Sequence, residues 1–182
     1  FFLSILASGM LLYGFSFLYG TTGSTRLEEI QAGLMAASAG ETIGMAHVAL
    51  VLLFAALGFK IAAVPFQFYA PDVYQGTTHA NAGLLSVLPK AAGMLVLVRL
   101  LAIALPDESV VSYTWRIALV LAVLTMTFGN VMALWQDSLR RMLAYSSIAH
   151  AGYMLIGLAV GLATPSGAVG RFDGIAGLLF YL

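Results

Sequence analysis

The chain has 182 residues, of which 61% are hydrophobic and 9% are charged, and its formal net charge is zero. Soluble domains carry about 25% charged residues, so this composition excludes an ordinary soluble fold and indicates an all-α, polytopic membrane protein. The neutral charge gives no indication of nucleic-acid binding, and the absence of cysteine excludes disulfides, thiolate metal sites and iron–sulfur ligation within this stretch.

Apolar runs of membrane-spanning length predict five helical spans and the start of a sixth. In chain order the spans cover residues 1–19, 44–70, 81–105, 113–135 and 142–163, and the sixth begins near residue 173. The polar link after the first span contains a short helical stretch around residues 27–38. Because the chain lacks an initiator Met and stops inside an apolar run, we expect an internal fragment of a larger membrane protein.

Two lysines lie within the apolar spans, Lys60 in the second and Lys90 in the third. A charge at the bilayer centre costs roughly 2.5–3.5 kcal/mol on insertion scales, so such residues usually face the protein interior and mark an ion or proton path. Lys60 lies 15 residues before Gln75 in the polar link, and Lys90 lies 15 residues after it. In an antiparallel hairpin both ammonium groups are expected at about the same depth, within reach of each other and away from lipid.

Prolines accompany both lysines. Pro65 lies inside the second span and Pro71 at its end, and because proline removes an intrahelical donor we expect a kink or break between Lys60 and Pro71. Pro65 could instead be a simple packing kink, but an adjacent intramembrane lysine favours a broken helix at an ion site. Pro89 directly precedes Lys90, so the third span is expected to be locally distorted.

His150, in the fifth span, is a third candidate for the proton path, because its two ring nitrogens can relay a proton. The alternative is a neutral histidine hydrogen-bonded to Ser146 or Ser147, one helical turn away. Those two serines could hold ordered water or form a polar helix-packing stripe.

The polar links carry the remaining charges of note. Asp72 is most simply a turn or helix cap, and Arg140 and Arg141 are expected to anchor the chain at the membrane interface. No nucleotide loop, nucleophile triad or metal-ligand spacing is present, so no cofactor-binding or metal-ligating residue is predicted.

Three blocks carry a resemblance to a known family: GFKIAAVPFQFYAPDVYQG, LPKAAGMLVLVRLL and GNVMALWQDSLRRMLAYSSIAHAGYML. In this order and spacing they resemble the subunit N family, the antiporter-like membrane subunits of respiratory NADH–quinone oxidoreductase (complex I). The opening LASGMLLYGFSFLYGTTGS also matches, so the resemblance covers nearly the whole chain. It implies an antiporter-like helical bundle with inverted repeats. Residues 1–182 would form one membrane domain, with 1–105 ending the first repeat and 113–182 beginning the second.

The resemblance also implies a function. Lys60 matches the lysine of the family's broken helix, Lys90 matches the bridging lysine of the next helix, and His150 lies in the block YSSIAHAGY. The implied protein is a proton-translocating subunit of the enzyme, in which electron transfer from NADH to quinone drives proton pumping through the buried lysines. The chain itself would carry no redox centre, because NADH, FMN, iron–sulfur clusters and quinone would be bound by other subunits of this respiratory-chain complex.

The same resemblance implies a multi-pass protein of the bacterial inner membrane, with the links PDVYQG and QDSLRR on the cytoplasmic side. Its implied partners are the other membrane subunits of complex I, the lipid bilayer and protons, but not nucleic acid. Gln67 and Tyr69 replace the usual histidine and tryptophan of the family, and Pro89 replaces a small polar residue. These departures indicate a divergent branch.

Two other functions stay open at this point. An Mrp-type cation/proton antiporter subunit, or a membrane-bound hydrogenase subunit, would share the ancestral fold. A purely structural membrane scaffold is the third possibility, and two buried lysines argue against it because they would destabilise the bundle without purpose.

Overall fold

A computed structural model describes residues 2–36, 41–104, 108–163 and 169–182. Within these residues the regular secondary structure is entirely α-helical, which confirms the predicted fold class. The eight described helices are α1 (Phe2–Thr22), α2 (Leu27–Ala36), α3 (Glu41–Lys60), α4 (Tyr69–Gly76), α5 (His79–Ala104), α6 (Glu108–Leu134), α7 (Leu139–Ala163) and α8 (Val169–Tyr181).

Four of the described helices are long and apolar enough to cross a membrane. They supply the segments Phe2–Thr22, His79–Leu101, Thr114–Leu134 and Leu139–Ala163. The second predicted span differs, because its helix, α3, ends at Lys60 and residues 61–68 are not helical. The count of five spans and the start of a sixth therefore stays a prediction.

Helix α7 lies at the centre of the packing. It packs along α6 and α8 and also contacts α4 and α5, whereas α3 packs mainly against α1. The main buried cluster is built from aliphatic side chains of α3, α5, α6 and α7, including Leu53, Met94, Leu97, Ala122 and Leu155. Because lipid is as apolar as these side chains, close van der Waals packing stabilises such a bundle more than water exclusion does.

Glycines permit the closest helix approaches. A Cβ atom added at Gly152 of α7 would lie 2.6 Å from Cγ of Met126 and 2.9 Å from its backbone nitrogen on α6. At Gly174 of α8, an added Cβ would lie 2.4 Å from the backbone nitrogen of Gly161 on α7. Both positions require the absence of a side chain.

A non-helical segment, residues 61–68, separates α3 from α4, and Pro65 lies within it with a cis Val64–Pro65 peptide bond. Ala62 adopts a left-handed backbone conformation, with φ of 57°. The predicted break between Lys60 and Pro71 is present, and Pro71 itself lies in the first turn of α4. The backbone nitrogens of a first turn have no intrahelical acceptor, so proline costs no hydrogen bond there.

Pro89 does not interrupt α5, which runs continuously from His79 to Ala104. Proline at this position leaves the carbonyl oxygen of Leu85, four residues earlier, without its helical donor. The hydroxyl of Tyr74 on α4 donates to that oxygen at 3.2 Å. A side chain from a neighbouring helix thus satisfies the acceptor that the proline frees.

A prediction about stability follows from the close contact at Gly152. Gly152→Ala should destabilise the protein by about 1–3 kcal/mol, because the new methyl group has to displace Met126. Gly9→Ala is the matched control, since an added Cβ at Gly9 meets nothing within 4 Å and alanine is the better helix former. Thermal unfolding of the full-length protein in detergent measures both, and equal midpoints for the two variants would contradict the packing assignment.

Candidate functional site

Lys90 is a buried cation at the contact between α5 and α7, with only 5% of its surface exposed. Its Nζ donates a hydrogen bond to the backbone carbonyl of Ser147 at 2.5 Å and another to the Ser147 hydroxyl. An unpaired ammonium in an apolar interior is strongly unfavourable, so these acceptors replace part of the lost hydration. The charge is therefore held at a defined place between two helices.

A cavity of about 360 Å³ opens beside this lysine. Besides Lys90 its polar lining comes from α5, α7 and the end of α8, namely Ser86, Ser146, Ser147, His150 and Tyr181. Hydroxyl, imidazole and ammonium groups around a space of this size can hold several hydrogen-bonded water molecules. The cavity brings two of the three predicted site residues, Lys90 and His150, into one space.

His150 does not bond to either serine that the sequence suggested. Its Nδ1 lies 2.5 Å from the hydroxyl oxygen of Tyr181 on α8, and its ring meets that of Tyr153 edge-on at 5.6 Å between centroids. Ser147 is instead engaged by Lys90. The histidine is exposed on the surface of the described chain, so it lies at the rim of the cavity rather than in the core.

A second cavity, of about 280 Å³, adjoins the first on the side of the polar links. Its lining includes Tyr74, Thr77, His79 and Arg140. Three residues, Ser86, Leu143 and Ser147, line both cavities. A row of polar groups thus leads from the links between helices to the buried ammonium. Sequence reasoning gave Thr77 and His79 no role, because nothing in their local pattern indicates the partner helix.

The arginines near the start of α7 contact α4 and the start of α5. Arg141 donates to Asp72 at 2.8 Å and to the side-chain oxygen of Gln75 at 3.0 Å. Arg140 lies 2.9 Å from Nε2 of His79. These residues therefore connect α4 and the start of α5 to α7, where the sequence suggested a cap and two interfacial anchors. Such exposed ion pairs are worth about 0–1 kcal/mol each.

Lys60 is exposed in the described chain, so the expectation that its side chain faces the interior is wrong there. Helix α3 ends at this residue, and the next side chain, Ile61, fills the space against α5 instead. An added Cβ at Gly93 would lie 2.8 Å from Cγ2 of Ile61 and 3.7 Å from Cβ of Lys60. Since Gly93 follows Lys90 by one helical turn, the stem of Lys60 is near the site although its charge is not in the cavity.

Neighbouring helices donate and accept hydrogen bonds with the backbone at the break between α3 and α4. The backbone nitrogen of Val64 donates to the hydroxyl of Thr125 at 3.1 Å, and that hydroxyl donates to Leu121 of its own helix, α6, at 2.6 Å. The hydroxyl of Tyr69 donates to the carbonyl of Phe59 at 2.9 Å. Sequence reasoning did not single out Thr125. The sequence shows only a hydroxyl residue within an apolar span, and the structure shows that this side chain is fully buried.

Gln67, in the same segment, is 2% exposed, and its side-chain oxygen has no hydrogen-bond partner among the described residues. No group of three or more His, Asp or Glu side chains in the described ranges could hold a metal ion. The Lys90 site brings together ammonium, hydroxyl and imidazole groups, each of which is able to donate or accept a proton.

Residues 1–176 match the family described as NADH:quinone oxidoreductase/Mrp antiporter, transmembrane. NADH-quinone oxidoreductase subunit N of Trichlorobacter lovleyi is 43% identical over 182 residues, covering 100% of this chain and 35% of that protein. The subunit N of Desulfovibrio desulfuricans is 48% identical over 171 residues, covering 92% of this chain and 33% of the relative. The chain thus spans about a third of the length of these relatives.

Two solved structures share the fold. A chain of respiratory complex I from Thermus thermophilus is 36% identical with a TM-score of 0.67, and the match covers 100% of this chain and 36% of that one. A chain of the Mrp complex from Dietzia is 26% identical with a TM-score of 0.76, and the match covers 97% of this chain and 30% of that one. Antiporter-like membrane subunits are therefore the structural neighbours of this chain.

The bond between Val64 and Thr125 gives a second stability prediction. Thr125→Val keeps the shape of the side chain but leaves a buried backbone donor without an acceptor, and should destabilise the protein by about 1–3 kcal/mol. Thr127→Val, on the exposed face of the same helix, is the control and should change little. Thermal unfolding of the full-length protein compares the two, and amide hydrogen exchange at Val64 should quicken in the first variant only. Unchanged exchange there would show that the bond does not hold the segment.

Proposed function

Since the chain belongs to the NADH:quinone oxidoreductase/Mrp antiporter family, we propose that it is part of a proton-translocating membrane subunit of an NADH–quinone oxidoreductase. The single observation that carries this proposal is the buried ammonium of Lys90, held by Ser147 at the edge of a polar cavity. A charge inside a membrane bundle destabilises it, and a buried lysine there is typical of an ion or proton path. The subunit N relatives, at 43–48% identity, supply the enzyme class.

The proposed path runs through the two adjoining cavities. A proton enters on the side of the links, where His79 and Arg140 lie, and passes the hydroxyls of Ser86 and Ser147 on water molecules. The amine of Lys90 accepts this proton, and its ammonium later releases one to water in the neighbouring cavity. His150, paired with Tyr181, would then carry it onward.

A place for Lys60 on this proton path has less support than a place for Lys90. Its stem lies beside Gly93, one helical turn from Lys90, but its charged end is exposed rather than turned into either cavity. In the proposal Lys60 is a second proton-carrying group at the break between α3 and α4. The resemblance to the family's broken helix supports that role, and the side-chain exposure in this chain argues against it.

In this proposal, electron transfer and proton translocation take place in different subunits. This chain would carry no redox centre, and NADH, FMN, iron–sulfur clusters and quinone would be bound elsewhere in the complex, whose electron transfer would drive the proton movement. Its partners would be other membrane subunits, lipid and protons, in a bacterial inner membrane. The relatives support this division, since each is named as one subunit of a quinone oxidoreductase.

An Mrp-type antiporter subunit is the second candidate, because the matching family includes both kinds of protein and the Mrp chain has the higher TM-score of the two structures. The sequence favours the first candidate, since identity falls to 26% for the Mrp chain but is 36% for the complex I chain. Fold likeness alone does not separate functions that share an ancestral bundle. The neighbouring genes would distinguish the two candidates.

Replacing Lys90 tests the proposed path. In the intact complex, Lys90→Ala should lower proton pumping and quinone-linked turnover severalfold, while NADH oxidation by an artificial acceptor stays near the parent rate. Lys90→Arg should be impaired as well, because a guanidinium keeps its proton at physiological pH. Pumping is followed in inverted membrane vesicles with a pH-sensitive dye, and acceptor activity is measured in the same vesicles.

The same assays apply to Lys60→Ala and Lys60→Arg, which we also expect to lower pumping. Full pumping in both Lys60 variants would remove Lys60 from the path and leave Lys90 in it. Full pumping in both Lys90 variants would contradict the central claim that Lys90 carries the translocated proton. Loss of artificial-acceptor activity with normal assembly would instead connect this chain with electron entry.

The junction of the two cavities gives a further prediction. Ser86 lines both, so Ser86→Leu should close the polar route with an apolar side chain and slow pumping, whereas Ser86→Ala leaves the space open and should slow it less. Both variants are compared in vesicles with equal amounts of assembled complex. Equal pumping by the two would show that protons reach Lys90 by another way.

A further inference from the structure

A third cavity lies apart from the Lys90 site, where the end of α1, the start of α2 and the end of α5 meet. Its volume is about 550 Å³, within the range of small-molecule pockets. Most of its wall is apolar and comes from Phe15, Leu18, Leu27, Ile30, Val96 and Leu100. Neither the sequence patterns nor the proposed proton path uses it.

The polar groups of this cavity gather at its rim. They are Tyr19, Ser24, Thr25 and Arg99. The hydroxyl of Ser24 already donates to Glu29, whose charge is balanced by Arg26 at 3.3 Å. The exposed guanidinium of Arg99 is therefore the net charge among the lining residues, and it is positive.

The depth of the rim matches a membrane boundary. Helix α5 ends at Ala104, five residues or about 7.5 Å after Arg99, a distance that an arginine side chain can span, and α1 ends at Thr22, three residues after Tyr19. Tyrosine and arginine commonly lie at this level, where lipid headgroups meet the hydrocarbon layer. Phe15 and Val96, which lie further from these helix ends, accordingly face acyl-chain depth.

From this arrangement we propose that the cavity binds an anionic phospholipid. One acyl chain lies against the apolar wall, and the headgroup phosphate pairs with Arg99, with the hydroxyls of Tyr19 and Thr25 as further donors. A guanidinium presents a planar fork of donors that suits a phosphate better than a carbonyl or a hydroxyl does. The positive rim above an apolar wall selects an anionic amphiphile over a neutral one and over an apolar helix of another protein.

Photo-crosslinking in lipid vesicles tests this site in the full-length protein. A photoreactive amino acid replaces Val96 in the cavity wall, and in a second protein it replaces Val123, an exposed apolar residue of α6 outside the cavity. The vesicles contain phosphatidylethanolamine with a minority of phosphatidylglycerol, and mass spectrometry identifies the crosslinked lipid. At position 96 phosphatidylglycerol should be enriched about fivefold over its share of the vesicle. That is the factor expected from about 1 kcal/mol per basic residue near anionic lipid. At position 123 it should match its share.

Charge variants then assign the enrichment to one residue. Arg99→Gln should return the lipid ratio at position 96 to that of the vesicle, and Arg99→Lys should retain part of the enrichment. Arg116→Gln is the matched control, because Arg116 is an exposed arginine that stacks on Trp115 and does not line the cavity. The proposal is overturned if the parent protein shows no enrichment at position 96, or if Arg116→Gln abolishes it equally. It is also overturned if position 96 crosslinks to another polypeptide instead of lipid. None of these readouts depends on proton pumping.

Discussion

The contact between the Lys90 ammonium and Ser147 constrains the bundle more than any other single interaction. Burying this charge between α5 and α7 is tolerable only because a carbonyl and a hydroxyl of the same residue accept hydrogen bonds from the ammonium. The contact sets the side of α7 that faces α5, and with it the positions of Ser146 and His150 around the cavity. Apolar packing elsewhere could adapt to small changes, but an ammonium without acceptors could not remain at this depth.

The interruption of the second span follows a similar rule. Backbone groups that leave the helical ladder inside a membrane protein need partners from the protein, and Thr125 of α6 and Tyr69 of α4 supply them. Pro89 raises the same requirement in α5, where Tyr74 meets it. Three hydroxyl side chains thus maintain an irregular backbone in an otherwise apolar bundle, two of them from α4 and one from α6.

Much of this arrangement was predictable from the sequence, because helix length and apolar composition are local properties. The all-helical fold, the limits of α5 and α7 and the burial of Lys90 follow from such patterns. Lys60 has an equally apolar environment in sequence, yet it is exposed, because the helix ends there and Ile61 takes the inner position. Exposure at a helix end depends on which neighbour fills the space.

Pairings between distant residues were the least predictable features. His150 bonds Tyr181, 31 residues away, and Val64 bonds Thr125, 61 residues away. The sequence offered nearer partners for the histidine, one turn along its own helix, and local reasoning could not show that Lys90 occupies one of them. The first pairing depends on how α7 lies against α8, and the second on how α6 lies against residues 61–68, neither of which single-helix periodicity contains.

The connections of α4 have a mechanical consequence. Helix α3 packs mainly on α1, while α4 is tied to α7 through the bonds from Arg141 to Asp72 and Gln75. The two halves of one interrupted span therefore belong to different packing groups, and residues 61–68 are the covalent joint between them. Any sliding of one group past the other has to be absorbed at this joint, immediately after Lys60. A shift of a few ångströms between the two packing groups would therefore change the position of Lys60 relative to Lys90.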